Sequence, residues 1–216
     1  ADAFGLHIDS AMEGTILNSG DISATAVAAD EAEAYGMLIH STLAATGSVE
    51  NSGSISVSAS GGATKASAAT MAAGIYVDSI EAGATVINSG TIEASASGNM
   101  AEASGMRVDG FMEGSVSNTL DITVSGTGGA AVAGILIEST LAAVGSVENS
   151  GTISVTGAGS GNSSTAGIYV GQMESGASLS NSGSIIASPT EGAFSVYIDM
   201  GRYRRSHGQR RAVAYR

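Results

Sequence analysis

The sequence predicts an all-β fold: a right-handed parallel β-solenoid of about six to seven coils, each of ~30 residues with three strands. Three observations predict it. Asn-Ser-Gly recurs at 18–20, 51–53, 88–90, 149–151 and 181–183, and a worn copy, Asn118-Thr119-Leu120, fills the one gap. Successive Asn positions are 33, 37, 30, 31 and 32 residues apart. A period of that size marks stacked repeats rather than one globular core. Around each corner, apolar residues alternate with polar ones, as in a strand with one buried face.

Each element follows in order. A glycine opens the repeat: Gly5-Leu6-His7-Ile8-Asp9, Gly36-Met37-Leu38-Ile39-His40, Gly74-Ile75-Tyr76-Val77-Asp78, Gly105-Met106-Arg107-Val108-Asp109, Gly134-Ile135-Leu136-Ile137-Glu138 and Gly167-Ile168-Tyr169-Val170-Gly171. This stretch reads as the first strand, with Ile75 and Val77 inward and Tyr76 outward. The second strand leads into the asparagine corner, and the third follows it. In 48–57, Val49, Ile55 and Val57 point in, while Glu50, Ser54 and Ser56 point out. The third strand thins to alanine, as in Ile92, Ala94 and Ala96. The small-residue stretches 24–34, 58–73, 96–104, 125–133, 157–166 and 187–194 read as linkers of variable length at one corner.

From the opening glycine to the asparagine the distances are 13, 15, 14, 13, 15 and 14, so the order repeats after three. The residues agree. Met12-Glu13-Gly14 returns as Met112-Glu113-Gly114, and Ser41-Thr42-Leu43-Ala44-Ala45 as Ser139-Thr140-Leu141-Ala142-Ala143. Residues 1–199 are therefore read as one solenoid of two three-coil blocks, about 3–102 and 103–194, with 193–199 opening a seventh coil. Residues 200–216 lack alternation and read as a basic tail.

Charge divides the same way. All 20 acidic residues lie at or before Asp199, where only Lys65 and Arg107 are basic; the tail carries six arginines and no acid. An acidic body excludes nucleic acid as a partner, because nothing in it neutralises phosphates. No apolar run approaches the roughly 20 residues that span a membrane. Ala1-Asp2-Ala3 carries no basic, apolar signal segment, as in a processed chain.

Three columns stand out if the coils stack. Asn18, Asn51, Asn88, Asn118, Asn149 and Asn181 face inward at one corner, each amide donating to the next; the role is structural. His7, Leu38, Tyr76, Arg107, Leu136, Tyr169 and Tyr197 form an outward column, a candidate face for a partner, with Arg107 over Tyr76 as a cation–π pair. Asp9, Asp78, Asp109, Glu138 and Asp199 form an acidic edge. His7, His40 and His207 are not at a recognisable ligand spacing and read as surface histidines, so neither a metal nor another cofactor is expected. Arg202, Arg204, Arg205, Arg210 and Arg211 are candidate tail contacts to the acidic body of a neighbour.

The unit Val-x-Asn-Ser-Gly-Thr/Ser-Ile, with Gly-Ile-Tyr-Val upstream, resembles repeats in the passenger regions of bacterial autotransporter-type surface proteins and related β-helical adhesins. The resemblance covers residues 3–199. It implies export, a cell-surface or extracellular site, and a role in adhesion or as a scaffold. The family's membrane barrel is not among these 216 residues.

The expected function is non-enzymatic: a subunit stacking head-to-tail with itself into a surface or matrix fibre, since unpaired strand edges recruit further strands. The alternative is an adhesin segment that binds a glycan or cell-surface receptor through the Tyr/Leu column. A polysaccharide lyase or hydrolase needs acids clustered with Lys or Arg on one face, and the body offers two such bases. Ice binding needs regular threonine rows, which are absent.

Overall fold

The computed structural model describes residues 1–61, 69–128, 131–158, 164–189 and 193–198. The tail arginines, His207 and Asp199 lie outside these, as do Lys65 and the side chain of Tyr197.

In chain order the strands are β1 (Asp2–Ile8), β2 (Thr15–Asn18), β3 (Asp21–Ala28), β4 (Ala32–Leu43), β5 (Ser48–Asn51), β6 (Ser54–Gly61), β7 (Ala69–Ile80), β8 (Thr85–Asn88) and β9 (Thr91–Ser97). Then come β10 (Met100–Val108), β11 (Ser115–Asn118), β12 (Ile122–Thr127), β13 (Ala131–Leu141), β14 (Ser146–Asn149), β15 (Thr152–Ala158), β16 (Ser164–Met173), β17 (Ser178–Asn181), β18 (Ser184–Pro189) and β19 (Ala193–Ile198). Every third strand belongs to the same sheet. One sheet runs β1-β4-β7-β10-β13-β16-β19, a second β2-β5-β8-β11-β14-β17, and a third β3-β6-β9-β12-β15-β18. Neighbours within a sheet are parallel. The chain is an all-β parallel solenoid with three strands per coil.

Parallel stacking in constant register puts like on like. Val49, Val86, Val116 and Val147 stack in the second sheet, and Ile55, Ile92, Ile122 and Ile153 in the third, all buried in one continuous core. Each such side chain contributes about 1.5–3 kcal/mol of burial. Between the first and second sheets a bridge column of Met12, Leu43, Ile80, Met112 and Leu141 closes the core.

Two expectations need correction. Among the described residues, the stretches read as linkers are largely strand. β3 runs to Ala28 and β4 begins at Ala32, while only Gly98 and Asn99 separate β9 from β10. Ala32, Ala34, Ala101 and Ala103 face the core there. Alternation of Ala with Ser or Glu has little hydrophobic contrast, which hid the period.

The opening glycine, in turn, is a bend within a strand rather than its start. In β4, Ala32 and Ala34 point inward before Gly36, but Met37 and Ile39 after it, so the inward parity changes at the glycine. A Cβ at Gly74 would lie 2.7 Å from the Gly105 carbonyl oxygen and closer still to Ile92 Cγ2. Gly5, Gly36, Gly105 and Gly134 are equally enclosed, each between the next glycine's carbonyl and an isoleucine of the third sheet. The bend folds the outer face of the first sheet into a groove.

Candidate interaction groove

The bend explains the chemistry of the outer column. In a straight strand, residues three or five apart lie on opposite faces. Here Phe4 and His7 flank Gly5, and their rings stack at 4.5 Å. Glu102 and Arg107 flank Gly105, and their charged ends meet at 2.7 Å. The column expected to be exposed therefore lies in a concave groove, and part of it is covered. Leu38 is 5% exposed, and Tyr76 and Arg107 are each 8% exposed. At these three positions the face is covered rather than open, whereas His7 is exposed and Leu136 and Tyr169 are partly exposed.

The opposite wall of the groove comes from residues ahead of the glycines. Register places Phe4, Tyr35, Ala73, Ser104, Ala133 and Ala166 in one row, and Asp2, Glu33, Met71, Glu102, Ala131 and Ser164 in another. Sequence reasoning missed these residues because it took Glu33, Met71, Ala73, Glu102, Ser104, Ala131, Ala133, Ser164 and Ala166 as parts of linkers and did not extend the first strand back past the glycine to Asp2, Phe4 and Tyr35. The available signal was Ala-x-Ala-x-Gly in 32–36, a strand period running into the glycine.

In the first half the groove is filled. Tyr35, Leu38, Ala73 and Tyr76 form a buried cluster with Met71 against it. Tyr35 and Tyr76 meet edge to face at 5.5 Å, and Phe4 stacks on Tyr35. The Tyr35 hydroxyl donates to Glu33 Oε2 at 3.2 Å, and Tyr76 donates to Asp109 Oδ2 at 2.6 Å. Burial, reinforced by these carboxylates, raises both phenol pKa values well above the ordinary value of 10.0.

Arg107 closes this part. Its Nε donates to Asp109 Oδ1 at 2.5 Å, its Nη1 to Glu102 Oε2 at 2.7 Å, and Nη2 lies 3.7 Å from Glu138. Its guanidinium carbon sits 5.9 Å from the centre of the Tyr76 ring, the expected cation–π pair. Burial works against the charge, but the bonds to Asp109 and Glu102 outweigh it, and the arginine pKa lies above its usual value. Glu138 is raised from the usual carboxylate value. Burial does most of this; Arg107 opposes it, and Asp109 and Glu102 add to it.

Among the described residues of the second half the same groove is hollow. Small residues of β13 and β16 (Ala131, Ala133, Ser164 and Ala166) occupy the far wall. Together with Leu136, Tyr169, Arg107, Glu102 and Glu138 they line a cavity of about 140 Å³. It offers a half-buried aromatic ring, an aliphatic wall and carboxylates fixed by an arginine.

The asparagine column lies at the corner between the second and third sheets. Asn18 Nδ2 donates to Asn51 Oδ1, and the same bond links Asn51 to Asn88, Asn88 to Asn118, Asn118 to Asn149 and Asn149 to Asn181, all at 2.7 Å. Each amide also donates to the carbonyl two residues on, as Asn88 does to Gly90 at 2.9 Å. Asn51, Asn88, Asn118 and Asn149 are fully buried; the two ends of the column are not. The worn copy keeps its amide bonds, but β12 starts a residue later, at Ile122.

One further grouping was not legible from spacing. His7, Asp9 and His40 lie together, with His7 Nε2 at 2.7 Å and His40 Nδ1 at 3.9 Å from Asp9 Oδ1. The two histidines are therefore not isolated surface residues. Ligand spacing was counted along the chain, whereas stacking makes residues one coil apart into neighbours. The rest of the acidic edge is not a simple solvated row either, since Asp109 is held by Arg107 and Tyr76.

No protein-family model matches this chain, and no curated protein or solved structure matches it either.

Proposed function

We propose that this chain is a non-enzymatic structural protein of the cell surface or extracellular matrix, a right-handed solenoid of six to seven coils that stacks end to end with further copies of itself. The observation that carries this reading is the register, in which like residues of successive described coils stack in parallel. β1, β2 and β3 are the edge strands of their sheets, and Leu6, Ile8, Ile16 and Ile22 are only partly buried. Their column mates Met37, Ile39, Val49 and Ile55 are buried. A further coil of the same register continues both the backbone ladder and the apolar columns. A head-to-tail contact does not close on itself and so extends into a filament.

Electron microscopy of the purified chain tests this. Unbranched filaments are expected, with a subunit repeat near seven coil spacings of ~4.8 Å each. Stable single rods at high protein concentration, by light scattering, count against it.

The cavity favours a second reading, an adhesin segment that takes a neutral sugar ring. Tyr169 supplies an aromatic face, and Glu102 and Glu138 accept hydrogen bonds from hydroxyls. Saturation-transfer NMR with galactose and glucose tests it. Signal that is lost in Tyr169→Ala and in Ala133→Tyr, which fills the cavity as Tyr35 fills its counterpart, supports the reading. Signal unchanged in both variants removes it. Tyr76→Ala is a poor probe, because Tyr76 belongs to the packed half.

A further inference from the structure

We propose that His7, Asp9 and His40 form a binding site for one divalent transition-metal ion of the Zn²⁺ class. The fold builds the site from register. His7 and Asp9 are two residues apart on one chain segment, so both point outward from the first sheet. Ile8 pairs with Ile39, which brings His40 alongside Asp9 one strand over. The three candidate ligand atoms all lie within 4.8 Å of one another.

The distances suit an ion. A tetrahedral Zn²⁺ with bonds of roughly 2.0–2.2 Å holds its ligand atoms about 3.3 Å apart. The observed separations from Asp9 Oδ1, 2.7 Å to His7 and 3.9 Å to His40, lie on either side of that value. All three side chains are exposed, so small rotations bring them onto one centre. His7 is already oriented, because Phe4 stacks on its ring at 4.5 Å and is itself stacked on Tyr35.

The donor set selects the metal class. Two imidazole nitrogens and one carboxylate suit Zn²⁺, Co²⁺ or Ni²⁺. Ca²⁺ takes six to eight oxygens, and this cluster supplies only one carboxylate. Three protein ligands leave a position open to water or to another molecule's donor group. The ion also ties β1, an edge strand, to β4 by side-chain ligands as well as by the backbone ladder. Metal bound to the folded chain raises its melting temperature by mass action.

Isothermal titration of ZnCl₂ into the metal-free chain tests this. The expected result is one ion per chain in a distinct high-affinity phase. His7→Ala, Asp9→Asn and His40→Ala should each weaken it by roughly 100-fold or more, since removing even an outer partner of a ligand costs about 10–100-fold. Phe4→Ala should weaken it by about tenfold through loss of the oriented ring. A titration that is the same in His7→Ala and His40→Ala as in the native chain overturns the proposal. A second readout needs no variant: Co²⁺ added to the native chain should give the intense visible absorption of a low-coordinate nitrogen–oxygen site. The weak absorption of hydrated, octahedral Co²⁺ overturns the proposal as well.

Discussion

The coils carrying Gly36 and Gly134 are counterparts in the two halves of the chain, and below the surface they are nearly the same object. Met37 corresponds to Ile135, Ile39 to Ile137, Val49 to Val147 and Asn51 to Asn149, all of them buried. Above the same bend they differ. Tyr35 fills the groove opposite Leu38 in the first half, whereas Ala133 stands opposite Leu136 in the second and leaves a cavity. Inside, a side chain must fit the copy above and the copy below at one strand spacing, so a change in one coil is felt in its neighbours. The outer groove carries no such constraint, and the two coils differ there.

The sharpest way to break the shared part is to crowd the bend. Gly36→Ala and Gly134→Ala should each destabilise the chain by about 4 kcal/mol or more, since the added methyl meets a backbone carbonyl and an isoleucine at once. The two effects should be similar in urea denaturation, because the enclosure is the same in both halves. Gly14→Ala, where a Cβ meets nothing within 4 Å, is the control and should change little.

The ladder comes next. Asn88→Ala removes the acceptor for Asn51 and the donor for Asn118 in a fully buried corner, and two orphaned groups cost about 2–4 kcal/mol. Asn181→Ala, at the exposed end of the column, should cost less than about 1 kcal/mol. Equal costs at the two positions would mean that the amide ladder contributes nothing beyond local turn geometry.

A smaller effect belongs to the filled groove. The Tyr35 and Tyr76 phenols, both with raised pKa values, lie there. Because their folded-state values exceed the ordinary value of 10.0, their contribution to stability is complete below that pH and is lost as pH rises beyond it. The denaturation midpoint should therefore fall above pH about 10. The fall should be shallower in Tyr76→Phe, and absorbance at the tyrosinate band should show these two rings ionising above the ordinary value of 10.0.

The smallest effect is a gain. Among the described residues the Thr165 hydroxyl is buried without a partner, in a column where the preceding coil has Val132. Thr165→Val keeps the shape and removes the unpaired group, so it should stabilise by about 1 kcal/mol, read as a rise of roughly 2–4 °C in melting temperature.

By itself, the sequence determined the repeat, the three strands of each coil, the inward Val and Ile columns and the asparagine ladder. These are legible because stacking demands the same residue type at the same place in every coil, and periodicity records that demand. The bends at the opening glycines, the covering of Leu38, Tyr76 and Arg107, the cavity beside Tyr169 and the meeting of His7 with His40 were decided only in three dimensions. Alanine-rich strands hid the far wall of the groove. The bend at Gly105 joins Glu102 to Arg107, and one coil of stacking joins His40 to Asp9, though neither spacing stands out along the chain. A ladder repeats its own residues, so one dimension suffices to read it. A groove joins unlike residues across a bend and between coils, and only the folded path of the chain sets those neighbours.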